Sequence, residues 1–260
     1  MVGIELALLP SLLKNKDSKL CIVLDVLRAT STITTLIANG CRAVIPVCET
    51  DQAISLRNSL LHQTPYRLLL CGEDSIGQLN RDFDLYNSPA KLSSSTYENS
   101  IVIMKSTSGT KLLSSLRTAQ ELIVASALNL DACAAYALAK ARDYNGDISI
   151  ICAGSHESSQ VTFEDVICAG LLVKRMSRGT DAYLNDSAKL AVKLWDKDYE
   201  SSRLNSVFEE SDTGIRLRKA GEIQDIQYCS QLNITSVVPV RISSFEGIGD
   251  DVIIIGNEKM

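Results

Sequence analysis

Asp25 and Arg28 stand just after a run of Leu, Ile and Val and open a hydroxyl-rich stretch, Asp25-Val-Leu-Arg-Ala-Thr-Ser-Thr32. A carboxylate in that place can hold Mg²⁺ or attack phosphorus. A guanidinium beside it can grip a phosphate, sulfonate or carboxylate through two parallel N–H donors. The same pair can equally cap the helix that follows. A second constellation is the turn Ser106-Thr107-Ser108-Gly109-Thr110, flanked by Lys105 and Lys111. Its hydroxyls and backbone amides at a helix start can cradle an anion, and they can also be plain N-caps. A third is Glu164-Asp165, two acids in the first turn of a helix, which suit either the helix dipole or Mg²⁺ and a water-orienting base.

The elements that must position these residues follow from the apolar runs. Leu20 to Val26, Arg42 to Val47, Tyr66 to Cys71, Ser100 to Lys105, Glu121 to Ala125 and Asp147 to Cys152 are too continuously apolar for a half-exposed sheet. They read as strands of a mostly parallel sheet covered on both faces, a three-layer α/β/α architecture. Helices are predicted over Ala29 to Asn39, closing at Gly40, from Thr50 or Asp51 through Leu61, and over Leu130 to Arg142. After Ser155 the character shifts, with helices at Phe163 to Arg178, Asp181 to Asp198, Tyr199 to Val207 and Thr213 to Ala220. Short β-like runs return at Ile223 to Cys229, Ser236 to Val240 and Val252 to Ile255. The first residues read as an edge strand. No linker or repeat forces a boundary, so residues 1–260 read as one domain, with a change of character near 156–160.

In open α/β sheets, ligands bind outside the carboxyl ends of the strands, which is where Asp25, Gly72-Glu73, Ser106 to Thr110 and Ala153-Gly-Ser-His156 fall. Position 27 is Leu, whereas haloacid dehalogenase-like phosphatases carry a second aspartate there, so a phosphoenzyme at Asp25 is one option among several. There is no Gly-x-Gly-x-x-Gly after a strand, no P-loop and no Gly-x-Ser-x-Gly elbow, which weighs against dehydrogenase, P-loop and α/β-hydrolase readings. His156 reads as a solvated loop residue.

Composition bounds the function classes. The chain has 260 residues with a net charge of −5 and no Lys/Arg block, which argues against nucleic acid or an anionic membrane as partner. No apolar run approaches the ~18 residues of a membrane helix, and the N-terminus lacks the basic start of a signal peptide, so a cytoplasmic protein is expected. Eight cysteines without a Cys-x-x-Cys pair, beside two histidines, argue against zinc and for buried reduced thiols. A homodimer is the expected assembly.

Several segments together resemble the 2-phosphosulfolactate phosphatase family, Mg²⁺-dependent acid phosphatases of coenzyme M biosynthesis. They are Asp25 to Ile33 with Asn39-Gly40, Gly72-Glu73, Asn87-Ser88-Pro89, Ser108-Gly109-Thr110, Asn129, Cys152-Ala153-Gly154, and Glu164-Asp165 with Ala169-Gly170. They occur in the family's order across about residues 20–175, and a weaker match continues through Leu217, Gly221 and Asp225. The resemblance implies a Mg²⁺-dependent phosphoric monoester hydrolase acting on 2-phospho-3-sulfolactate or a related small 2-phospho-acid. It implies catalytic roles for Asp25, Arg28, Glu164 and Asp165, and Mg²⁺ at Asp25, Glu73 and Asp165. Substrate contacts are implied from Arg28, Asn87, Ser88, Lys105, Thr107, Ser108, Gly109 and Thr110. The family's usual Asn-Gly-Thr turn reads Ser108-Gly109-Thr110 here, and Gly72-Glu73 lacks a glycine-rich continuation, although Gly77 is nearby. The alternative is a non-catalytic phosphate- or anion-binding regulatory protein on the same scaffold.

Overall fold

A computed structural model describes residues 2–14, 20–73, 82–155, 159–195, 203–249 and 252–258. In chain order the strands and helices begin with β1 (Val2–Ala7), β2 (Leu20–Leu24), α1 (Ala29–Ala38), β3 (Ala43–Val47), α2 (Thr50–Leu60) and β4 (Arg67–Gly72). Next come β5 (Leu85–Tyr86), α3 (Pro89–Leu92), β6 (Ser100–Lys105), α4 (Gly109–Ser115), β7 (Glu121–Ala125), α5 (Leu130–Tyr144) and β8 (Ile148–Cys152). The last third holds α6 (Phe163–Ser177), β9 (Ala182–Leu184), α7 (Asp186–Lys193), α8 (Leu204–Glu210), α9 (Asp212–Lys219), α10 (Ile223–Cys229), β10 (Pro239–Arg241) and β11 (Ile255–Asn257).

The continuous apolar runs are strands because each face of the sheet has its own core. In β2, Ile22 and Leu24 pack with α5 and α6 residues such as Ala137 and Leu172, while Cys21 and Val23 pack with Ile33 of α1 and Leu113 of α4. In β6, Ile101 and Ile103 meet Ala53 and Leu60 of α2, while Val102 and Met104 face the α1 and α4 side. Strand side chains alternate in direction, so covering both faces requires apolar residues at every position. Each such Ile or Leu contributes about 1.5–3 kcal/mol by burial. Helix α1 is buried despite four threonines and a serine, because Thr34 and Thr35 donate to the carbonyls of Thr30 and Ser31 (2.8 Å each) and Ser31 to that of Val26. Those bonds remove the cost of burying a hydroxyl.

Among the described residues one sheet runs β5-β4-β6-β3-β11-β10-β7-β2-β8-β1-β9. Its two wings are parallel throughout, and β2 pairs in full register with both β7 and β8. The wings are joined by β10 and β11, antiparallel to each other and to their outer neighbours, with single registered pairs Val240↔Ile123 and Ile255↔Val44.

Three expectations are corrected. The N-terminal strand is not at the edge, because β1 lies between β8 and β9. Ile223–Cys229 is helical: Ile226 and Cys229 are buried three apart, the spacing of one helix face. Asp181 to Asp198 divides into β9 and α7, with Asn185 capping α7 through the Ala188 amide (2.9 Å) and bonding the Leu6 amide and carbonyl of β1. Part of the predicted helix at Tyr199 to Val207 lies outside the described residues, as do Gly77 and His156. All eight cysteines are free, and seven are buried. No helix of the described residues is long and apolar enough to cross a membrane.

Candidate active site

The turn between β2 and α1 carries Asp25 and Arg28 onto the carboxyl rim of the sheet. It is held by the Thr30 amide donating to the Asp25 carbonyl (2.8 Å) and by the Asp25 amide donating to Thr30 Oγ1 (3.2 Å). The Asp25 carboxylate accepts from the Ala29 amide through Oδ1 (3.4 Å). On its other side lies Gly109, the first residue of α4, where a Cβ would stand 2.6 Å from Asp25 Oδ2 and 2.7 Å from Ala29 Cβ. No larger residue fits there without displacing the carboxylate or the helix. Burial pushes the Asp25 carboxyl up to about 7, the Ala29 and Gly109 amides oppose this, and the charges of Glu73 and Glu164 add to it.

Glu164 and Asp165, in the first turn of α6, are 1% and 2% exposed. Asp165 takes the Val26 amide on Oδ1 (2.8 Å) and the Thr162 hydroxyl on Oδ2 (2.6 Å), which straps the start of α6 to the turn after β2. Burial raises its carboxyl well above the usual range, and the neighbouring Glu164 and Asp25 charges add to the rise. Burial also raises Glu164, against the pull of its own amide, the Thr213 and Ser211 hydroxyls and the Arg216 charge. Glu164 Oε2 is buried with no hydrogen-bond partner.

Arg28, reached through a cis Leu27–Arg28 peptide, lies at the centre of a different arrangement. Its Nη1 donates to Glu222 Oε2 and to Asp225 Oδ2 (2.9 Å). Its Nη2 donates to Glu73 Oε2 (2.8 Å) and to the Tyr86 hydroxyl (3.1 Å). The guanidinium also lies 4.8 Å from the Tyr86 ring centroid. Burial disfavours its charge, but Glu73 and Glu222 outweigh that and hold it protonated above its ordinary value. Asp225 is fixed in turn by the Ser88 hydroxyl (2.7 Å) and the Ala90 amide (3.0 Å). Asn87 accepts from the Thr32 hydroxyl (2.7 Å) and donates to Glu73 Oε2 (3.4 Å).

A cavity of about 330 Å³ opens on this rim, walled by Asp25, Arg28, Glu73, Thr107, Ser108, Glu164 and others from both wings. In the turn after β6, Ser106 and Thr110 bind each other reciprocally, amide to hydroxyl in both directions at 3.0 Å, so these two are spent on the helix start. Thr107 and Ser108 line the cavity, whereas Lys105 Nζ donates to the Glu73 carbonyl (3.2 Å). Asn87 lines the cavity, while Ser88 caps α3 and holds Asp225.

Mg²⁺ takes oxygen ligands and is commonly held by one or two carboxylates together with substrate phosphate and water. Among the described residues no three His, Cys, Asp or Glu side chains gather into an all-protein cage. Asp25 and Glu164, the latter with an unpartnered buried oxygen, fit the sparser arrangement. Asp165 fits it less well, since both of its oxygens already serve Val26 and Thr162, and Glu73 shares its Oε2 between Arg28 and Asn87.

Sequence reasoning missed Tyr86, Thr213, Arg216 and Glu222 as site residues. For Thr213, Arg216 and Glu222 the nearest signal was the weak continuation through Leu217, Gly221 and Asp225 at the α9–α10 corner, and for Tyr86 it was the adjoining Asn87-Ser88-Pro89.

The sequence model of the 2-phosphosulpholactate phosphatase family matches residues 7–243. A relative from Pseudothermotoga lettingae is 34% identical over 222 residues, 85% of this chain and 89% of its own. One from Caldanaerobacter subterraneus subsp. tengcongensis is 34% identical over 229 residues, covering 87% and 89%. One from Carboxydothermus hydrogenoformans is 32% identical over 236 residues, covering 91% and 92%. Each is named a probable 2-phosphosulfolactate phosphatase.

Proposed function

The chain belongs to the 2-phosphosulfolactate phosphatase family of phosphoric monoester hydrolases, and on that premise we propose that it hydrolyses 2-phospho-3-sulfolactate to sulfolactate and inorganic phosphate with Mg²⁺ held by Asp25 and Glu164. The observation that carries the reading is the group of three acids, the buried Glu164 and Asp165 and the part-buried Asp25, on the wall of a cavity at the carboxyl rim. Buried carboxylates with raised pKa values are costly to fold and mark sites where a cation or a reacting group is to be met. The cytoplasm and coenzyme M biosynthesis are the setting we assign.

Bound there, Mg²⁺ would neutralise charge on the phosphoryl oxygens as the P–O bond to the C2 oxygen breaks. The chain's own residues set the rest. Asp165 is a positioning residue, holding α6 so that Glu164 meets the turn of Asp25. Gly109 leaves room for the Asp25 carboxylate, and Thr107 and Ser108 offer hydroxyl donors to a phosphoryl group in the cavity. Arg28 fixes Glu73, Glu222 and Asp225 around the cavity and is a positioning residue as well. Asp25 presents a carboxylate either to phosphorus or to the attacking water. The stereochemical course at an isotopically chiral phosphorus separates the two, inverting when water attacks directly and retaining when an aspartyl phosphate intervenes.

The test is phosphate release from racemic phosphosulfolactate, phospholactate and phosphoglycolate, with Mg²⁺ or EDTA, by the native protein beside Asp25→Asn. Metal-dependent release that the variant loses is expected. Tight anion binding with no release from any ester would replace the reading by that of a non-catalytic anion-binding protein, for which Ser108 in place of the family's asparagine is the supporting feature.

A further inference from the structure

Helix α7 carries leucines where a surface helix normally carries polar residues. Its inner side is closed tightly on α6. A Cβ at Gly170 would stand 2.4 Å from the Ala191 carbonyl oxygen, and the Trp195 indole donates to the Ile167 carbonyl (2.8 Å). Ala188 and Ala191 are buried on that side. Leu190 turns away from it, at about 100° of rotation per residue, and is 64% exposed. Leu194, one turn on, is exposed as well. Tyr183 of β9 extends the patch: it is exposed, and Lys189 Nζ lies 5.9 Å from its ring centroid. β9 is the last strand in the sheet order and pairs with β1 alone among the described residues.

The patch is held rigidly. Asn185 caps α7 and bonds both the amide and the carbonyl of Leu6 in β1, so little freedom is lost when another surface docks. The charges select what docks. Asp186 in the first turn and Lys193 in the last are exposed on the same side as Leu190. Seven residues apart, they stand about 10 Å from each other along the axis, with Leu190 close to midway. Two copies of α7 crossing antiparallel at Leu190 would set each Asp186 against the other copy's Lys193, with the leucines meeting in the middle. A parallel crossing would bring like charges together. Complementarity of a surface to itself about a midpoint is the requirement of a two-fold contact, and an unrelated partner does not demand it. Lys189 pairs with Asp186 (3.0 Å), but the aspartate side chain stays 94% exposed and open to a second cation.

We propose that the face of α7 centred on Leu190 docks a second copy of this chain, forming a two-fold dimer through antiparallel α7 helices. The proposal is independent of the reaction proposed above.

The test is equilibrium sedimentation of the full chain at tens of micromolar protein and low salt, where the native mass should approach twice the 28.3 kDa of one chain. Leu190→Asp places two carboxylates at the axis and should weaken association about 30-fold or more. Asp186→Lys and Lys193→Asp should each weaken it about 10-fold, and added salt should weaken native association. The double variant Asp186→Lys/Lys193→Asp restores opposite charges across the axis and should return to within roughly threefold of native. Far-ultraviolet circular dichroism of every variant should match that of native protein, since the substituted side chains are exposed. A native chain that stays monomeric overturns the proposal. So does a Leu190→Asp chain that associates as the native one does, or a double variant no stronger than the single reversals.

Discussion

Two groups of three carboxylates meet at the rim of the same sheet, and their fates differ. Glu73, Glu222 and Asp225 surround Arg28 and bond to it directly. Asp25, Glu164 and Asp165 have backbone amides and hydroxyls as their hydrogen-bond partners, and all three carboxyls are raised, by burial first. In the first group the fold supplies the compensating charge from its own chain. In the second, amides and hydroxyls only partly offset the cost of burial, so the charged form is reached fully when a cation arrives. One group holds the rim together, and the other is poised to bind.

The sharpest way to break the comparison is Asp25→Asn, which should lower turnover by about 10³-fold or more while the far-ultraviolet circular dichroism is unchanged. A folded variant with native turnover would remove Asp25 from the chemistry. Next is Arg28→Met, which strands three acids and should cost about 3–5 kcal/mol in denaturant unfolding. A loss under roughly 1 kcal/mol, the scale of an exposed ion pair, would show that the first group is not held as described.

The pH dependence sharpens the contrast. Without a divalent cation the folded chain keeps a proton on Asp25 up to about 7, whereas the unfolded chain releases it near the ordinary 3.8. The folded state therefore binds more protons between those values, and unfolding free energy should fall as pH rises through that window and level off above it. Mg²⁺ should raise the thermal midpoint by roughly 2–6 °C at pH 7.5 and by less at pH 5, where protons compete for the same oxygens. Glu164→Gln should remove most of that shift. A midpoint indifferent to Mg²⁺ at both pH values would count against metal at these acids. The smallest expected effect is Tyr86→Phe, which deletes one hydroxyl from Arg28 and should cost about 1 kcal/mol with turnover nearly intact.

Much of this was legible in the sequence, for a physical reason. Strands covered on both faces must be apolar at successive positions, so Ser100–Lys105 and Glu121–Ala125 could be bounded to the residue, and Asp25 and Ser106 to Thr110 could be placed at strand ends. The partners of Arg28 could not. Glu222 and Asp225 lie 194 and 197 residues away along the chain, on a segment whose two isoleucines and cysteine suggested a strand until their three-residue spacing was set on a helix. The resemblance gave Arg28 catalytic and substrate-contact roles without naming the protein acids around it. A guanidinium has the same donors for substrate as for protein acids, and only the fold decides which arrive first. Ser106 and Thr110 carry the same lesson, since hydroxyls suited to an anion bind each other's amides.

The order in which the sheet is laid down differs from the order in which the chain is made. β10 and β11, residues 239–257, are synthesised after every other strand described, yet they fill the middle of the sheet between β3 and β7. Until they emerge from the ribosome, each wing has an unpaired inner border, and no strand pairing links the wing of Asp25 to that of Glu73 and the turn at Ser106. A nascent chain thus holds two half-sheets waiting for a keystone, and a prematurely terminated one is left with two open edges where the middle of the sheet belongs.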